Sequence, residues 1–206
     1  MSLSASGPAR DEAVASTRAW IERAVIGLNL CPFAKAVYAR EQIRYVVSDA
    51  WTAVALREDL AHELSTLAGA APAAVETTLL IHPHVLTEFG DYNAFLDDVD
   101  ATLEALDLVG VLQVATFHPG YQFAGTTPDD VTNNTNRSPY PMLHLLREAS
   151  VDLAVAAFPE TRMIFQRNIE TMRRLGVAGW AALGLVARSR PPETDSVVTE
   201  ERPRPA

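Results

Sequence analysis

The sequence predicts an α/β fold: one layered domain with a small, mostly parallel sheet of about three strands, packed by helices and followed by a C-terminal helical segment. Three β-branched or leucine-rich runs, at 43–47, 77–81 and 111–117, predict the strands. Between them lie two long segments with helical periodicity, each able to return the chain to the same edge of a sheet. Strands that alternate with such crossovers are typical of parallel sheets.

The elements follow in order along the chain. Apolar residues on one helical face predict a first helix over 11–29, and Pro32 prevents its simple continuation. After the first strand, a helix over 51–67 is closed by Gly69 as a C-cap. A clean 3.6-residue repeat then predicts a helix over 92–106, between the second and third strands.

The chain after the third strand is less regular. Residues 118–138 show no periodicity, and a long structureless segment in a compact domain is usually functional or mobile. Ser138-Pro139 resembles the N-cap and first position of a helix through about Ala149. A segment over 151–158 and a last amphipathic helix over 160–175, capped by Gly176, complete the predicted C-terminal part.

The composition limits the class of protein to which the chain can belong and the partners that it can bind. The chain has 206 residues, of which 48% are hydrophobic and 21% charged, enough apolar mass for one core over about 11–188. Residues 1–10 and the proline-rich stretch 189–206 are predicted to be disordered tails. The formal charge of −9 disfavours nucleic acid as a partner. A single cysteine, no signal-like N-terminus and no apolar run of about 20 residues predict a cytoplasmic protein without a membrane span.

Two histidines end predicted strands. His82 and His118 each precede a proline, and the carboxyl ends of parallel strands are where open α/β sheets place their ligand crevices. One interpretation is that both imidazoles share the rim of a site. The other is that His-Pro merely terminates each strand. The long loop after His118 favours a functional role for that residue.

A third histidine lies on the helix predicted after the loop. On that helix His144, Arg147 and Glu148 form one polar face, opposite an apolar one. Glu148 could set the tautomer of His144 in an acid/base pair, or the two could hold a metal together with His82 and His118. The alternative is an ordinary solvated face with local ion pairs.

The end of the long loop is rich in polar side chains. If a helix starts at Ser138, an anion bound before it would meet free backbone N–H groups and the guanidinium of Arg137. The alternative is turn chemistry, which Asn133 and Asn134 favour because Asn and Asp bond their own backbone. The candidate substrate-binding residues are Tyr121, Asp130, Asn136, Arg137 and Arg147.

Cys31 is the only cysteine. If Pro32 begins a helix through Arg40, the thiol lies at its N-cap, where the helix dipole favours the thiolate. A lone cysteine between apolar residues is otherwise a small buried hydrophobe. The sequence carries no Cys-x-x-Cys, glycine-rich phosphate loop, His-Glu-x-x-His or Gly-x-Ser-x-Gly, so it predicts no particular cofactor.

Several strings of residues together resemble a known family. They are IGLNLCPF at 26–33, ETTLLIHP at 76–83, FHP at 117–119 with YQFAG at 121–125, TNRSPYP at 135–141 and LHLLRE at 143–148. This chain is similar over about 20–180 to the bacterial family of unknown function called DUF1415. The resemblance implies no activity, cofactor, substrate or catalytic residue.

From the residues themselves we expect a cytoplasmic enzyme that acts on a small anionic ligand. His118, His144 and Glu148 are the expected catalytic residues, with Cys31 as the plausible nucleophile. The alternative is a non-catalytic ligand-binding or interaction domain whose long loop is a recognition surface.

Overall fold

The computed structural model describes residues 7–157 and 163–186. Its α-helices are α1 (Pro8–Trp20), α2 (Ala34–Ala39), α3 (Ala53–Gly69), α4 (Phe89–Ala94), α5 (Leu96–Ala105), α6 (Glu148–Ala157) and α7 (Ile164–Ala182). A π-helix, Ile21–Ile26, continues α1, and a 3₁₀-helix spans Val131–Thr135. The strands are β1 (Ile43–Val47), β2 (Thr77–Ile81), β3 (Leu112–Phe117) and β4 (Met142–Arg147).

The sheet has four strands in the order β1-β2-β4-β3. β1 and β2 are parallel, and β4 runs antiparallel to both of its neighbours, β2 and β3. The three strands predicted from the sequence are therefore confirmed and share one direction. The expectation of about three mostly parallel strands is corrected, because a fourth, antiparallel strand lies between β2 and β3.

The fourth strand replaces a predicted helix. The helix expected over 138–149 is wrong: Met142–Arg147 is β4, and a helix begins only at Glu148. Leu143 and Leu145 face one core, whereas Met142 contributes to the other. Because both faces of β4 pack against a core, its sequence needs apolar residues on both sides. It therefore lacks the alternation of apolar and polar residues that identifies a half-buried strand.

One face of the sheet is covered by α3, α4 and α5. Its core contains apolar side chains of these helices and of the strands, among them Leu60, Leu64, Tyr92, Leu80 and Leu145. The helix predicted over 92–106 is divided into α4 and α5. Arg44 of β1 pairs with the buried Glu63 of α3 at 2.8 Å, which satisfies a carboxylate that would be costly to bury alone.

The other face is covered by α1, the π-helix and α7. Trp20, Ile21 and Met172 from these helices pack on Leu79 and Met142. The backbone of the π-helix turns widely: the Gly27 N–H donates to the Glu22 carbonyl at 2.9 Å. A Cβ at position 27 would lie 2.4 Å from the Arg23 carbonyl oxygen, so the chain needs glycine here.

The ends of the chain differ from the predicted boundaries. α1 begins at Pro8, so the N-terminal helix includes Pro8, Ala9 and Arg10 of the predicted tail, while residues 1–6 lie outside the described part. The predicted tail 189–206 and residues 158–162 also lie outside it. α7 is interrupted at Gly176, whose φ of 66° is left-handed, and then continues to Ala182. In the described part of the chain, we find no helix with the length and apolar character needed to cross a bilayer.

Candidate functional site

The histidines at the ends of β2 and β3 both form hydrogen bonds to backbone groups. His82 is fully buried, and its Nδ1 donates to the Val85 carbonyl at 2.9 Å. His118 Nδ1 accepts from the Gly120 N–H at 2.9 Å, so the ring's one proton is on Nε2, which donates to the Leu86 carbonyl at 3.1 Å. Both ring nitrogens of His118 are therefore occupied by loop backbone.

These two rings belong to an aromatic group, here called the histidine cluster: His82, His118, Phe89 and Tyr92. Tyr92 lies between the imidazoles, with ring centroids 5.7 Å from His82 and 5.1 Å from His118. Burial lowers the pKa of His82 to about 4 and also lowers the pKa of His118. The histidine cluster is a neutral, packed group that fixes the loops after β2 and β3.

Arg137 organises the long loop. Its Nε donates to the Tyr121 carbonyl at 3.1 Å and its Nη2 to the Pro128 carbonyl at 2.7 Å. Burial lowers the pKa of Arg137, although Asp129 opposes that shift. No helix starts at Ser138, whose hydroxyl donates to the Tyr140 carbonyl. The helix end predicted to complete an anion site at Arg137 is therefore absent.

Other polar residues of this loop form hydrogen bonds within the loop and to β3. Asn133 Oδ1 accepts from the Phe123 N–H and the Thr126 hydroxyl, and its Nδ2 donates to the Thr127 carbonyl. Asp130 caps the 3₁₀-helix, and its bonds from Thr132 lower its pKa. Asn136 Nδ2 donates to the Thr116 carbonyl of β3 at 3.3 Å. Local turn chemistry, one of the two interpretations of this loop, accounts for the Asp130 contacts. The amides of Asn133 and Asn136 instead connect segments that are farther apart in the chain.

The predicted polar face of His144, Arg147 and Glu148 does not form, because the first two residues lie on a strand. Arg147 Nη2 donates to the carbonyls of Leu67 and Ala70 at the end of α3, and to that of Val75 in the segment before β2. Glu148 is the first residue of α6, and its N–H donates to the Val111 carbonyl. Arg147 thus caps α3, where a cation favours the negative helix end.

His144 instead faces a cavity of about 400 Å³ between the sheet and the helices, here called the sheet cavity. His144 is paired in register with Leu79 on one side and Ala115 on the other, so it stands in the middle of the sheet. The walls come from β1–β4, α1, the π-helix, α2 and α6 and include Trp20, Val25, Cys31, Phe33, Glu76, Thr77, Leu79, Ala115, Phe117, Leu146, Arg147, Val151 and Ala154. Most of these side chains are apolar.

Thr77 fixes the tautomer of His144. The Thr77 hydroxyl lies 2.6 Å from the Leu145 carbonyl, which can only accept, so its single proton is donated there. The same hydroxyl oxygen lies 2.7 Å from His144 Nε2 and must accept from an Nε2–H group. Nδ1 is therefore the unprotonated nitrogen of the ring, with no hydrogen-bond donor found for it among the described residues. Burial lowers the pKa of His144 to about 4, so the ring is neutral at pH 7.

Cys31 borders the same cavity, just before α2. The backbone N–H groups of Phe33 and Ala34 lower the pKa of the thiol, but the larger effect of burial raises it overall. Cys31 is partly exposed and free. The helix begins at Ala34 with Phe33 as its N-cap, so Cys31 precedes the helix start and does not occupy the predicted N-cap. Because burial raises its pKa, Cys31 is a thiol at pH 7.

The structure divides the predicted site residues among separate regions. His82 and His118 belong to the histidine cluster, Arg137 and Asp130 to the loop, and His144 and Cys31 to the sheet cavity. A second groove, of about 480 Å³, has Arg137, Asp130 and Trp180 among its lining residues. Across residues 7–157 and 163–186, no three His, Cys, Asp or Glu side chains are grouped to hold a metal ion.

Sequence reasoning missed Thr77, Phe117 and Trp20 as parts of the cavity. The ring of Phe117 lies 6.0 Å from that of His144 and 5.1 Å from that of Trp20, forming a continuous aromatic wall. A threonine in an otherwise apolar buried strand is a usable signal for Thr77, because a buried hydroxyl needs a partner. The aromatic residues carry no such signal in the sequence.

Comparisons with known proteins extend this description. Neither the curated proteins nor the solved structures contain a match to this chain. A family model described as a protein of unknown function, DUF1415, matches residues 12–182 and thus includes all seven α-helices at least in part, all four strands and the sheet cavity. The chain therefore belongs to the DUF1415 family.

Proposed function

We propose that this protein binds a small molecule in the sheet cavity. The observation that carries the proposal is the open Nδ1 of His144, a neutral acceptor fixed by Thr77 in a largely apolar enclosure. Ligand sites are typically concave, mostly apolar and provided with a few placed polar groups, and about 300–1,000 Å³ in volume. The sheet cavity has each of these properties.

This proposal favours the ligand-binding alternative over an enzyme with an anionic substrate. Arg137 and Arg147, the two cations expected to hold substrate oxygens, both donate to backbone carbonyls. His118, one of the two expected catalytic histidines, has both nitrogens bonded to the loops around it. Arg137, Arg147 and His118 are thus engaged in holding the fold, whereas His144, the residue expected to act as acid or base, faces the sheet cavity.

An enzymatic role remains a second candidate because Cys31 and His144 border one cavity. In that role Cys31 would attack a bound ligand after losing its proton. Burial raises the pKa of this thiol and lowers the pKa of the imidazole, so transfer of the proton from sulfur to His144 is unfavourable in the empty cavity. Binding is therefore the function that the geometry supports better.

A fragment screen with a cavity-filled variant tests the proposal. Ala154 borders the cavity from α6, whereas Ala156 of the same helix is exposed. Ligand-observed NMR of a fragment library should give hits that bind the parent and Ala156→Leu but not Ala154→Leu. Hits that bind all three proteins equally, or no hits at all, would contradict the proposal.

A further inference from the structure

The polar groups around the sheet cavity restrict what it can bind. Only two of its wall residues, Glu76 and Arg147, carry formal charge at pH 7, and their charges are opposite. Nη2 of Arg147 donates to three carbonyls beyond the wall, whereas its Nε is buried without a hydrogen-bond partner among the described residues. These two opposite charges give the wall no net charge, so nothing offsets the hydration that a charged ligand would lose in this largely apolar site.

His144 also sets the direction of the hydrogen bond. The Thr77 hydroxyl donates its proton to the Leu145 carbonyl. If the imidazole proton moved from Nε2 to Nδ1, Nε2 would face the Thr77 oxygen with no proton between the two atoms. The observed arrangement therefore keeps Nδ1 as an acceptor. A ligand acceptor placed against Nδ1 would meet a second lone pair.

We infer that the sheet cavity selects neutral, largely apolar molecules that carry an N–H or O–H group and donate it to Nδ1 of His144. This inference rests on the proposed function and names its ligand class. The aromatic wall of Phe117 and Trp20 beside His144 provides the apolar surface on which a flat ring can lie. A phenol, an indole or a comparable N–H heterocycle has this chemistry.

Three probes of similar size separate the requirement for a hydrogen-bond donor from the requirement for a neutral ligand. Indole has an N–H donor, benzofuran has the same shape without the donor, and benzoate carries a negative charge. Dissociation constants from NMR titration should be at least about tenfold lower for indole than for benzofuran, since an unpaired acceptor loses its bond to water on burial. Benzoate should bind more weakly than both.

Variants of the two polar residues test the cause of this preference. His144→Leu removes the acceptor and should make the affinities for indole and benzofuran equal. Thr77→Val removes the group that fixes the tautomer and should reduce the preference for indole, whereas Thr77→Ser keeps the hydroxyl and should retain it. An indole preference that survives unchanged in His144→Leu would overturn the inference.

The outcomes also separate this inference from the proposed function. Equal binding of indole and benzofuran to the parent, abolished by Ala154→Leu, would refute the donor requirement and leave the cavity as a binding site. Probe affinities that Ala154→Leu leaves unchanged, or the absence of binding by all three probes, would refute both proposals. Tighter binding of benzoate than of indole would overturn the neutral ligand class.

Discussion

The histidine cluster and the sheet cavity place histidine side chains in two different environments. His118 has both ring nitrogens bonded to backbone and its ring between aromatic neighbours, whereas His144 has one nitrogen bonded and the other open. Both imidazoles have a lowered pKa because both are desolvated. His82 has a lowered pKa as well, and its buried Nε2 has no partner among the described residues. Neither a perturbed pKa nor an open nitrogen alone therefore marks a ligand site; His144 differs in that its side chain lines the sheet cavity.

The largest expected difference between the two regions is in stability. His118→Ala would leave the Leu86 carbonyl and the Gly120 N–H without their partners and would remove a packed ring. We expect the free energy of unfolding to fall by about 3 kcal/mol, measured by urea denaturation. His144→Leu should cost less than about 1 kcal/mol, because Thr77 keeps its bond to Leu145. Equal losses in the two variants would remove the distinction between the regions.

Acid should destabilise the protein through its buried neutral histidines. The pKa of His82 is about 4 in the folded protein, below the ordinary value of 6.5, so the unfolded chain binds more protons between these pH values. The stability that the neutral His82 ring contributes is fully present above pH 6.5 and is lost as the pH falls toward 4. The loss from His82 alone should be about 2 kcal/mol at pH 5.

Urea denaturation at pH 7 and pH 5, together with NMR titration of the histidine rings, measures this effect. The His82 and His144 resonances should both titrate far below the ordinary pKa in the folded state. A His82 ring that titrates near 6.5 would show that the histidine cluster is open to solvent.

Arg137 tests whether the loop is architecture or an anion site. Lysine cannot bond the Tyr121 and Pro128 carbonyls with one fixed fork, so Arg137→Lys should lower the free energy of unfolding by about 1–2 kcal/mol. Melting curves with and without phosphate, sulfate and acetate should show no specific stabilisation of the parent. Stabilisation of the parent by one of these anions, lost in Arg137→Lys with unchanged stability, would restore the anion site.

The smallest expected effect is at Cys31. Because burial raises the pKa of this thiol, its alkylation by iodoacetamide at pH 7 should be slower than that of a free cysteine peptide. A ligand in the sheet cavity should slow it further, since Cys31 borders that space. Alkylation faster than in the peptide would support the enzymatic candidate instead.

Much of the fold could be predicted from the sequence. The strand boundaries 43–47 and 77–81 agree with the structure, because β-branched and leucine-rich runs ending in turn residues are strong local signals. β4 could not be separated from a helix, because its apolar residues serve two cores and Ser138-Pro139 imitates a helix start. The strand order therefore differs from the prediction, because β4 lies between β2 and β3.

The candidate site was predictable in its residues but not in its assembly. His144 and Cys31 were both singled out, yet their common cavity depends on the antiparallel strand and on the π-helix, which have no reliable local signature. The grouping of His144 with Arg147 and Glu148 assumed helical spacing and therefore failed with the helix. The backbone bonds of His118 and Arg137 depend on tertiary contacts between loops that sequence periodicity does not describe.

The central claim is that His144 presents a neutral acceptor to a ligand in the sheet cavity, and nitrogen-15 NMR of the imidazole tests it most directly. At pH 7 the parent should show His144 with a protonated Nε2 and an unprotonated Nδ1, and indole should shift the Nδ1 resonance as a hydrogen bond forms. A protonated Nδ1 in the free protein, or an Nδ1 resonance that indole leaves unchanged at saturation, would contradict the account.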